Sequence, residues 1–312
     1  MNPAECKRIL HNFLRENITN DYILLDLPYY ANVGDVLIWQ STIDLLKEIP
    51  YKCLYSASIE SYAFHKISED VIILFLGGGN FGDVWKRHQI FRQHVLKDYP
   101  KNPIIQLPQS VCFRDEKNLR RDIDIFMQHQ APVTFCLRDK KSYDFMVYNY
   151  PFATNVLLPD MVLSFDVSQY VNHQIGKGIL YLRRDDREKR EGSVSEIPLQ
   201  AERRDWPTME HKSICLRGYS KIFHILKRID NSIGTHIACH FADVCFKYYF
   251  KNHIINNGLR FVNTYETVYT TRLHVGIISA LMGKPTIMLD NSYGKISGVY
   301  KAWMLDWKNV KM

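Results

Sequence analysis

The chain is 312 residues long, enough for about two ordinary domains, and its 46% hydrophobic and 23% charged residues are typical of globular proteins and exclude disordered or fibrous classes. No apolar run approaches the ~20 residues that a membrane-spanning helix needs, and the N-terminus lacks the basic and apolar pattern of a secretory signal. The formal net charge of +7 favours anionic ligands or an anionic membrane surface.

The first half of the chain predicts strands that alternate with helices. The predicted strands are residues 23–25, 71–76, 103–107, 133–137 and 156–158, each a short apolar run. Helical spacing of apolar residues follows the first strand, and a second helix is predicted from about Asp83 to Tyr99. The third strand is predicted to end at 108–110, a Pro-Gln-Ser turn. Continuous apolar strands separated by helices predict a parallel sheet that is covered on both faces.

A polar stretch at 167–178 predicts a boundary between two α/β domains, residues 1–170 and 171–312. The second domain is predicted to contain strands at 179–182, 267–270 and 285–289 and a helix over 273–281 that ends at Gly283. The charged stretch 187–210 is predicted to be a loop.

Residues 77–82, Gly-Gly-Gly-Asn-Phe-Gly, follow a predicted strand and match the dinucleotide fingerprint G-x-G-x-x-G. A nicotinamide site would also need an acidic residue at the end of the next strand, where the neutral Gln106 stands. A tight turn without a ligand is a second interpretation. An anion or substrate site is favoured, because glycines let the backbone approach a ligand while Asn80 and Asp83 present polar groups near a helix N-terminus. The sequence has no Walker-type phosphate loop, which argues against an ATPase.

Polar residues also follow the first predicted strand of each domain, where open α/β sheets bind ligands. Residues 32–35 (Asn-Val-Gly-Asp) place Asp35 at the start of a helix, as an N-cap, a ligand contact or both. Arg183 and Arg184 follow strand 179–182. Either a solvated run of charge or an anion contact by one of these arginines fits that pattern.

Residues 271–274 (Thr-Arg-Leu-His) lie between a predicted strand and a predicted helix in the second domain. An arginine at a helix N-terminus opposes the helix dipole, so Arg272 is expected to hold an anion together with backbone N–H groups. We expect His274 to face the same site and to be the acid–base group, because imidazole exchanges protons near neutral pH.

Several other patterns have structural explanations. His236, Cys239 and His240 are residue types that bind metals, but zinc needs two well-spaced pairs, and a half-buried helix with apolar thiols explains them better. The aromatic residues at 248–250 and in the C-terminal tail accompany no nucleic-acid-binding motif, so packing is predicted for them. Seven cysteines without a C-x-x-C pair predict free thiols and a cytoplasmic location.

Together these motifs resemble those of the polysaccharide pyruvyl transferases. The resemblance rests on residues 32–35, 77–83, 108–110, 138–142, 271–274 and 290–295, which occur in the family's order. Gly-Gly-Gly-Asn-Phe-Gly-Asp and Thr-Arg-Leu-His are the specific segments, whereas residues 187–206 match nothing in the family pattern.

The resemblance implies an α/β fold of two Rossmann-like domains that face each other across a cleft, as in GT-B glycosyltransferases, with a last helix that can cross back to the first domain. It implies phosphoenolpyruvate as a co-substrate, with no bound cofactor, on the C-terminal domain. The acceptor, on the N-terminal side, would be a pair of sugar hydroxyls in a polysaccharide or its lipid-linked precursor. The products would be a pyruvate ketal and phosphate.

The residues expected to be catalytic are Arg272, His274, Asp35 and, as a second acid–base candidate, His88. Those expected to contact substrate are Asn32, Gly34, Gly78, Gly79, Asn80, Asp83, Gln109, Arg138, Arg183, Arg184, Leu273, Asn291, Ser292 and Lys295. Fixed arginines suit the phosphate and carboxylate of the donor and make a metal unnecessary.

Two other functions stay open. A GT-B glycosyltransferase with a nucleotide-sugar donor would need a base and ribose pocket in the C-terminal domain, which the sequence does not identify. A carbohydrate- or anion-binding module would have no use for His274 and Asp35 beside Arg272. The positive charge and the aromatic tail are compatible with peripheral contact at the inner membrane, and no nucleic-acid partner is expected.

Overall fold

The computed structural model describes residues 1–171, 176–183, 197–210, 214–290 and 294–312, so that the predicted site residues Arg184, Asn291 and Ser292 lie outside the described residues. The chain forms two compact units. Unit 1 comprises Met1–Leu27, Ile38–Ser164 and Gly298–Leu305, and unit 2 comprises Pro28–Leu37, Phe165–Ser297 and Asp306–Met312. Each unit contains one parallel sheet with helices, which confirms the predicted α/β class. The GT-B-like arrangement of two domains stays a prediction.

Unit 1 is built on a seven-stranded sheet in which every strand pair is parallel. The strands are β1 (Tyr22–Leu25), β2 (Cys53–Ala57), β3 (Ile72–Phe75), β4 (Gly78–Gly82), β5 (Ile104–Cys112), β6 (Val133–Leu137) and β7 (Thr154–Leu157). The helices are α1 (Pro3–Asn17), α2 (Val33–Leu46), α3 (Lys86–Asp98), α4 (Glu116–Met127) and α5 (Lys140–Asn149). The strand order is β2-β1-β3-β5-β6-β7, and β4 pairs with β5 off this path.

The central strands of unit 1 are apolar throughout because helices cover both faces of the sheet. All four residues of β1 and all four of β3 are buried. Phe81, Phe126, Phe135 and Tyr150 pack edge to face or tilted against one another in the core, with ring centroids 5.2 to 6.4 Å apart. Continuous apolar runs therefore predicted these strands correctly.

The glycine segment is a strand, and the prediction of a ligand loop at a helix N-terminus near Asp83 is wrong for its local structure. β4 pairs in parallel with the second half of β5, and α3 begins only at Lys86. A Cβ on Gly77 would lie 2.5 Å from the carbonyl oxygen of Pro108, and one on Gly82 would overlap the carbonyl oxygen of Cys112. Glycine is therefore required here because the two backbones approach each other closely.

The third predicted strand is also longer than expected. β5 continues through the segment 108–110, which the sequence predicted as its end, and Gln109 pairs with both Gly78 and Leu137. A proline is tolerated in β5 because the register shifts at this point, between Gln106 and Gln109. The extension places the Gln109 side chain inside unit 1, where it is fully buried.

Unit 2 has a five-stranded parallel sheet in the order β12-β11-β10-β8-β9. The strands are β8 (Ile179–Leu182), β9 (Glu202–Arg204), β10 (Thr267–Thr270), β11 (Thr286–Met288) and β12 (Val310–Lys311). The helices are α6 (Pro207–Glu210), α7 (Ile214–Ile233), α8 (Ile237–Val244), α9 (Lys251–Asn263), α10 (Leu273–Leu281) and α11 (Lys295–Val299), with π-helical segments at Cys245–Phe250 and Tyr300–Met304. β9 and α6 lie in the stretch predicted as a loop, and Gly283, with φ of 76°, ends α10 as predicted. None of the described helices combines the length and the apolar character needed to cross a bilayer.

Pro28–Leu37 belongs to unit 2 although it precedes residue 170 in the chain. The Tyr29 ring stacks on Phe246 with centroids 4.7 Å apart, and its hydroxyl donates to Asp243 at 2.6 Å. Val33 packs so closely on Gly258 that a Cβ there would lie 2.5 Å from Val33 Cγ1. These contacts explain why α2 begins in unit 2 and continues into unit 1.

Replacing Gly82 with alanine is expected to lower the free energy of unfolding by at least about 2 kcal/mol, because the new Cβ meets the Cys112 carbonyl oxygen at a φ of 111° that L residues rarely adopt. The matched control is Gly218→Ala in α7, where nothing lies within 4 Å of the new Cβ and helix propensity predicts a gain of about 0.5–1 kcal/mol. Urea denaturation measures both differences. A Gly82→Ala protein as stable as the wild type would contradict the pairing of β4 with β5.

Candidate functional site

Each sheet has a switch point, which is the place where the strand order reverses. The next strands along the chain are added on opposite sides of the first strand of the sheet. In unit 1 the switch point lies between β1 and β3, and in unit 2 it lies between β8 and β10. Open α/β sheets bind ligands at the carboxyl ends of the strands beside such a point. The residues that follow these four strands are therefore the candidate site residues of each unit.

Asp26, directly after β1, is the centre of a buried polar network in unit 1 that the motifs did not indicate. Its side chain is 1% exposed. Its Oδ1 lies 2.7 Å from Nδ1 of His88, and its Oδ2 accepts a hydrogen bond from Nη2 of Arg92 at 3.0 Å. Arg92 is fully buried, and a buried guanidinium requires such a carboxylate partner. His88 and Arg92 are four residues apart on α3, so one helix face presents both to Asp26.

Asn80, on β4, joins this network to the glycine segment. Its Oδ1 accepts hydrogen bonds from Nη2 of Arg92 at 2.5 Å and from Nε2 of Gln109 at 2.8 Å. Both donors fix the amide so that its Nδ2 faces Asp26 and His88. The Oε1 atom of Gln109 is buried and has no hydrogen-bond partner among the described residues. Asn80 and Gln109, both predicted as substrate contacts, are thus brought together.

Gln106 has a structural role in the same network. Its Oε1 accepts a hydrogen bond from Nε of Arg92 at 2.8 Å, and its Nε2 donates to the carbonyl oxygen of Leu76 at 3.0 Å. The neutral residue that argued against a nicotinamide site is therefore the one that orients the buried arginine. An acidic residue at this position would place a second carboxylate near Asp26.

The network orients the ring of His88, because its Nδ1 lies 2.7 Å from Oδ1 of Asp26 and 3.0 Å from Nδ2 of Asn80. The His88 side chain is 16% exposed, which is enough for contact with a bound molecule.

Asp26 has φ of 67°, in the left-handed region, and it alone has a positive φ among the described non-glycine residues. Backbone strain of this kind is concentrated at functional sites, where the surroundings hold it in place.

Arg272, two residues after β10, lies at the switch point of unit 2 and forms a bidentate ion pair with Asp205. Its Nε donates to Oδ1 at 2.6 Å and its Nη2 donates to Oδ2 at 2.6 Å. Arg272 is 5% exposed, so the carboxylate holds the guanidinium in one orientation. Asp205 follows β9 and lies in the stretch predicted as a loop, so no sequence pattern indicated it. Two of the five guanidinium N–H donors are used in this pair.

Arg183 and Leu273 lie beside Arg272. Arg183 follows β8, the strand next to β10, and its backbone N–H donates to the carbonyl oxygen of Arg204 at 2.9 Å. The Arg183 side chain is exposed, whereas Leu273 is buried in unit 2 at the start of α10. Arg183 therefore matches its predicted place at a strand end, and Leu273 contributes apolar packing.

His274 packs against the first turn of α2. A Cβ on Gly34 would overlap Nδ1 of the His274 ring, so glycine is required there by this contact. Asn32 caps α2, since its Oδ1 accepts from the backbone N–H of Gly34 at 3.0 Å and its Nδ2 donates to Oδ2 of Asp35 at 2.7 Å. Tyr30 also donates to Asp35, at 3.1 Å. The N-cap interpretation of Asp35 is therefore wrong, because Asp35 lies in the first turn and Asn32 is the capping residue.

Arg138 is buried between strand ends of unit 1. Its Nη1 donates to Oδ2 of Asp160 at 2.6 Å, and its Nε donates to Oγ of Ser110 at 2.9 Å. Trp303 donates to the Arg138 carbonyl oxygen at 2.8 Å. These partners hold the ends of β5 and β6 together, while contact of Arg138 with a donor anion stays a prediction.

Three further residues were predicted as substrate contacts. Lys295 is buried at the start of α11, and Gly78 and Gly79 lie in β4.

No group of three or more His, Cys, Asp or Glu side chains in the described residues could hold a metal ion. All seven cysteines are free thiols, as predicted, but only Cys6 and Cys136 are buried, while Cys53 and Cys215 are exposed. Cys239 lies on α8, in agreement with the predicted half-buried helix.

Comparison with known proteins identifies the family. A family model described as polysaccharide pyruvyl transferase matches residues 32–293. The chain belongs to the polysaccharide pyruvyl transferase family. Among its relatives are the candidate pyruvyl transferase EpsO of Bacillus subtilis (strain 168), 31% identical over 91% of this chain and 86% of EpsO, and pyruvyl transferase 1 of Schizosaccharomyces pombe, 28% identical over 90% of this chain and 69% of that protein.

The fold has a solved counterpart. The crystal structure of an uncharacterized protein from Klebsiella pneumoniae superposes with a TM-score of 0.61 at 16% identity and covers 98% of this chain and 97% of that one. The family match includes the strand-end residues of both units except Asp26, which precedes residue 32. Membership in the polysaccharide pyruvyl transferase family supports a pyruvyl transfer role in polysaccharide synthesis.

Asp83, a predicted substrate contact of this family member, has its carboxylate bound within unit 1. It accepts hydrogen bonds from the backbone N–H of Arg114 at 2.7 Å, from that of Asp115 at 2.9 Å and from Nδ2 of Asn118 at 3.1 Å. Partial burial disfavours the charged form, but these hydrogen bonds and nearby Lys86 outweigh burial and lower the pKa of Asp83. The lowered pKa stabilises the folded state at pH values above 3.8, the pKa of an unperturbed aspartate. This stabilisation is lost as the pH falls through the lower pKa of the folded state.

Asp83→Asn is therefore expected to lower the free energy of unfolding at neutral pH, and the difference from the wild type should vanish in acid below the folded pKa. Chemical denaturation across that pH range measures it. The control is Asp124→Asn, which makes the same charge change at an exposed position on α4. If both variants lose the same stability at neutral pH, the hydrogen bonds of Asp83 are not the cause of its lowered pKa.

Proposed function

We propose that this chain transfers the pyruvyl group of phosphoenolpyruvate to two hydroxyls of one sugar in a polysaccharide or its lipid-linked precursor. Both hydroxyl oxygens bond to C2 of the donor, the C2–O bond to phosphate breaks, and C3 gains a proton to become a methyl group. The two hydroxyls lose two protons: one is matched by the proton that C3 gains, and the other leaves with phosphate. The product is a cyclic pyruvate ketal.

The single observation that supports this most is the fixed guanidinium of Arg272 at the carboxyl end of β10, within a family-matched Thr-Arg-Leu-His segment. Phosphoenolpyruvate carries a carboxylate and a phosphate, and a guanidinium held by Asp205 presents its donors in one orientation to such an anion. Arg183 follows the adjacent strand and supplies a second cation at the same switch point.

Two histidines are candidates for the proton transfers. The reaction needs an acid to protonate C3 and a base for the attacking hydroxyl, and the charge that develops at C2 resembles an oxocarbenium ion. His274 lies two residues after Arg272 and is the first candidate. His88 is the second, and its contact with Asp26 is an arrangement that orients an imidazole. Asp35, which is hydrogen-bonded by Asn32 and Tyr30, is the remaining carboxylate candidate for holding a hydroxyl.

The test of the proposed function is phosphate release from phosphoenolpyruvate across a panel of galactose-, mannose- and glucosamine-containing acceptors, free and lipid-linked. Mass spectrometry of the acceptor should show the addition of a pyruvate ketal in step with the phosphate. Release of a nucleoside diphosphate from a nucleotide sugar, with no turnover of phosphoenolpyruvate, would identify a glycosyltransferase instead. Binding without turnover of either donor would identify a binding module.

Arg272→Lys keeps the charge but loses the bidentate geometry, so the affinity for phosphoenolpyruvate is expected to fall at least ~10-fold, about 1.4 kcal/mol. Calorimetry of the binding measures it. Asp205→Asn is the matched variant, because it retains Arg272 and removes only the charge that orients it. If both variants lower the melting temperature alike and leave donor binding unchanged, Arg272 has only a structural role.

His274→Gln is expected to lower turnover by roughly 10²–10⁴-fold while donor affinity changes much less, since glutamine can donate a hydrogen bond but cannot exchange a proton. If the variant keeps more than about a tenth of the wild-type turnover, His274 is not the acid–base group and His88 becomes the first candidate. In that case His88→Gln should show the same loss, and Asp26→Asn should shift the pH dependence of turnover.

A further inference from the structure

Helix α7 carries a row of exposed isoleucines on one face. Ile222, Ile225, Ile229 and Ile233 are separated by three or four residues, so they form one stripe along the helix. Their exposed fractions range from 42% to 63%. Single exposed apolar residues need no explanation, but a contiguous stripe of this kind marks a surface that binds something.

The isoleucine stripe does not pack into the core of unit 2. The inner side of α7 is already packed, since the Tyr219 ring lies against Phe223, Phe241, Phe246 and Phe250 at centroid distances of 5.2 to 5.8 Å. α7 also contributes the buried Asp230, which accepts backbone hydrogen bonds from the start of α8. The packing of α7 on α8 therefore leaves the isoleucine stripe outside.

Basic residues border this stripe. Arg217, Lys221 and Arg228 are exposed and are spaced by four and seven residues, so they form an adjacent row, and Lys227 lies on the other side of the helix. Asp230 is the single acidic residue within Ile214–Ile233, and it is buried. The exposed surface of α7 therefore combines an apolar stripe with positive charge and has no exposed carboxylate.

The apolar surface continues onto the following helical segment. Exposed residues there are Ile237, Val244, Tyr248 and Tyr249. The Tyr249 hydroxyl lies 4.0 Å from Sγ of Cys215 near the start of α7, so the two segments share one surface. Tyrosine is enriched where an apolar phase meets water, because its ring is apolar and its hydroxyl is polar.

We propose that α7 and the segment 237–249 form a docking surface for an anionic lipid bilayer. The helix would lie in the plane of the interface, with the isoleucines among the acyl chains, the tyrosines at the headgroup level and the basic residues on anionic headgroups. This proposal concerns the association of the protein with lipid and does not depend on the identity of the donor or the acceptor.

Charge decides between a bilayer and a second copy of the chain as the occupant. A two-fold symmetric contact through α7 would place the same surface on both copies, so basic residues would face basic residues. Because α7 has no exposed acidic residue, such a contact would leave that repulsion uncompensated. An anionic bilayer instead supplies both the apolar phase and the opposite charge.

The test is co-sedimentation of the full chain with phosphatidylcholine vesicles that contain or lack phosphatidylglycerol. We expect binding to the anionic vesicles only, and weaker binding at high salt. Lys221→Glu with Arg228→Glu should lower the partition coefficient by more than about tenfold, because each basic residue near such a surface is worth about fivefold. The matched control is Lys117→Glu with Arg121→Glu on α4, which makes the same change of net charge elsewhere.

The apolar part is tested by Ile225→Asn with Ile229→Asn, compared with Ile90→Asn and Val147→Asn at exposed positions on other helices. We expect loss of vesicle binding in the first pair only, with circular dichroism and the melting temperature unchanged. The proposal is overturned if the wild type does not bind anionic vesicles, or if each stripe variant binds like its control. It is equally overturned if the wild type is an oligomer that the Ile225→Asn and Ile229→Asn substitutions dissociate, since a second copy would then occupy the stripe.

Discussion

The structure of unit 1 depends on the pairing of one fully buried charge, the guanidinium of Arg92. A buried arginine without a carboxylate partner would be strongly destabilising, and leaving one member of such a pair alone costs about 3–5 kcal/mol. Asp26 provides the charge, while the side chains of Asn80 and Gln106 accept further hydrogen bonds from the guanidinium. Asp26 directly follows β1, and the other three side chains come from β4, α3 and β5. The packing of these elements and the orientation of the site residues therefore depend on the same interactions.

The same principle recurs at other strand ends. Asp205 holds Arg272 in unit 2, and Asp160 holds Arg138 in unit 1, each with a nitrogen–oxygen distance of 2.6 Å. Buried ion pairs add little net stability compared with apolar packing, so their concentration at the carboxyl ends of parallel strands is better explained by the positioning of cations. The proposed donor, phosphoenolpyruvate, carries a carboxylate and a phosphate, and cations that cannot rotate would suit both groups.

The glycines of the family motifs have a different physical basis. In residues 77–82, Gly77 and Gly82 are needed because β4 and β5 approach each other closely, and Gly34 is needed because the His274 ring lies against its backbone. These glycines act through the space that a Cβ would take. Their effect on a site is therefore indirect, since they set the positions of Asn80 and His274 rather than contacting a ligand by necessity.

The sequence by itself determined the α/β class, the central strands and the helix after β10, because a strand buried on both faces must be a continuous apolar run and a helix must repeat its apolar residues at 3.6-residue spacing. It also determined the family, through motifs in a fixed order. Only the tertiary structure decided that the glycine segment is a strand, because close backbone approach depends on a partner strand that is distant in the chain. Asp26 and Asp205 likewise escaped prediction, since a lone aspartate becomes a site residue only when folding brings it to an arginine 66 or 67 positions away.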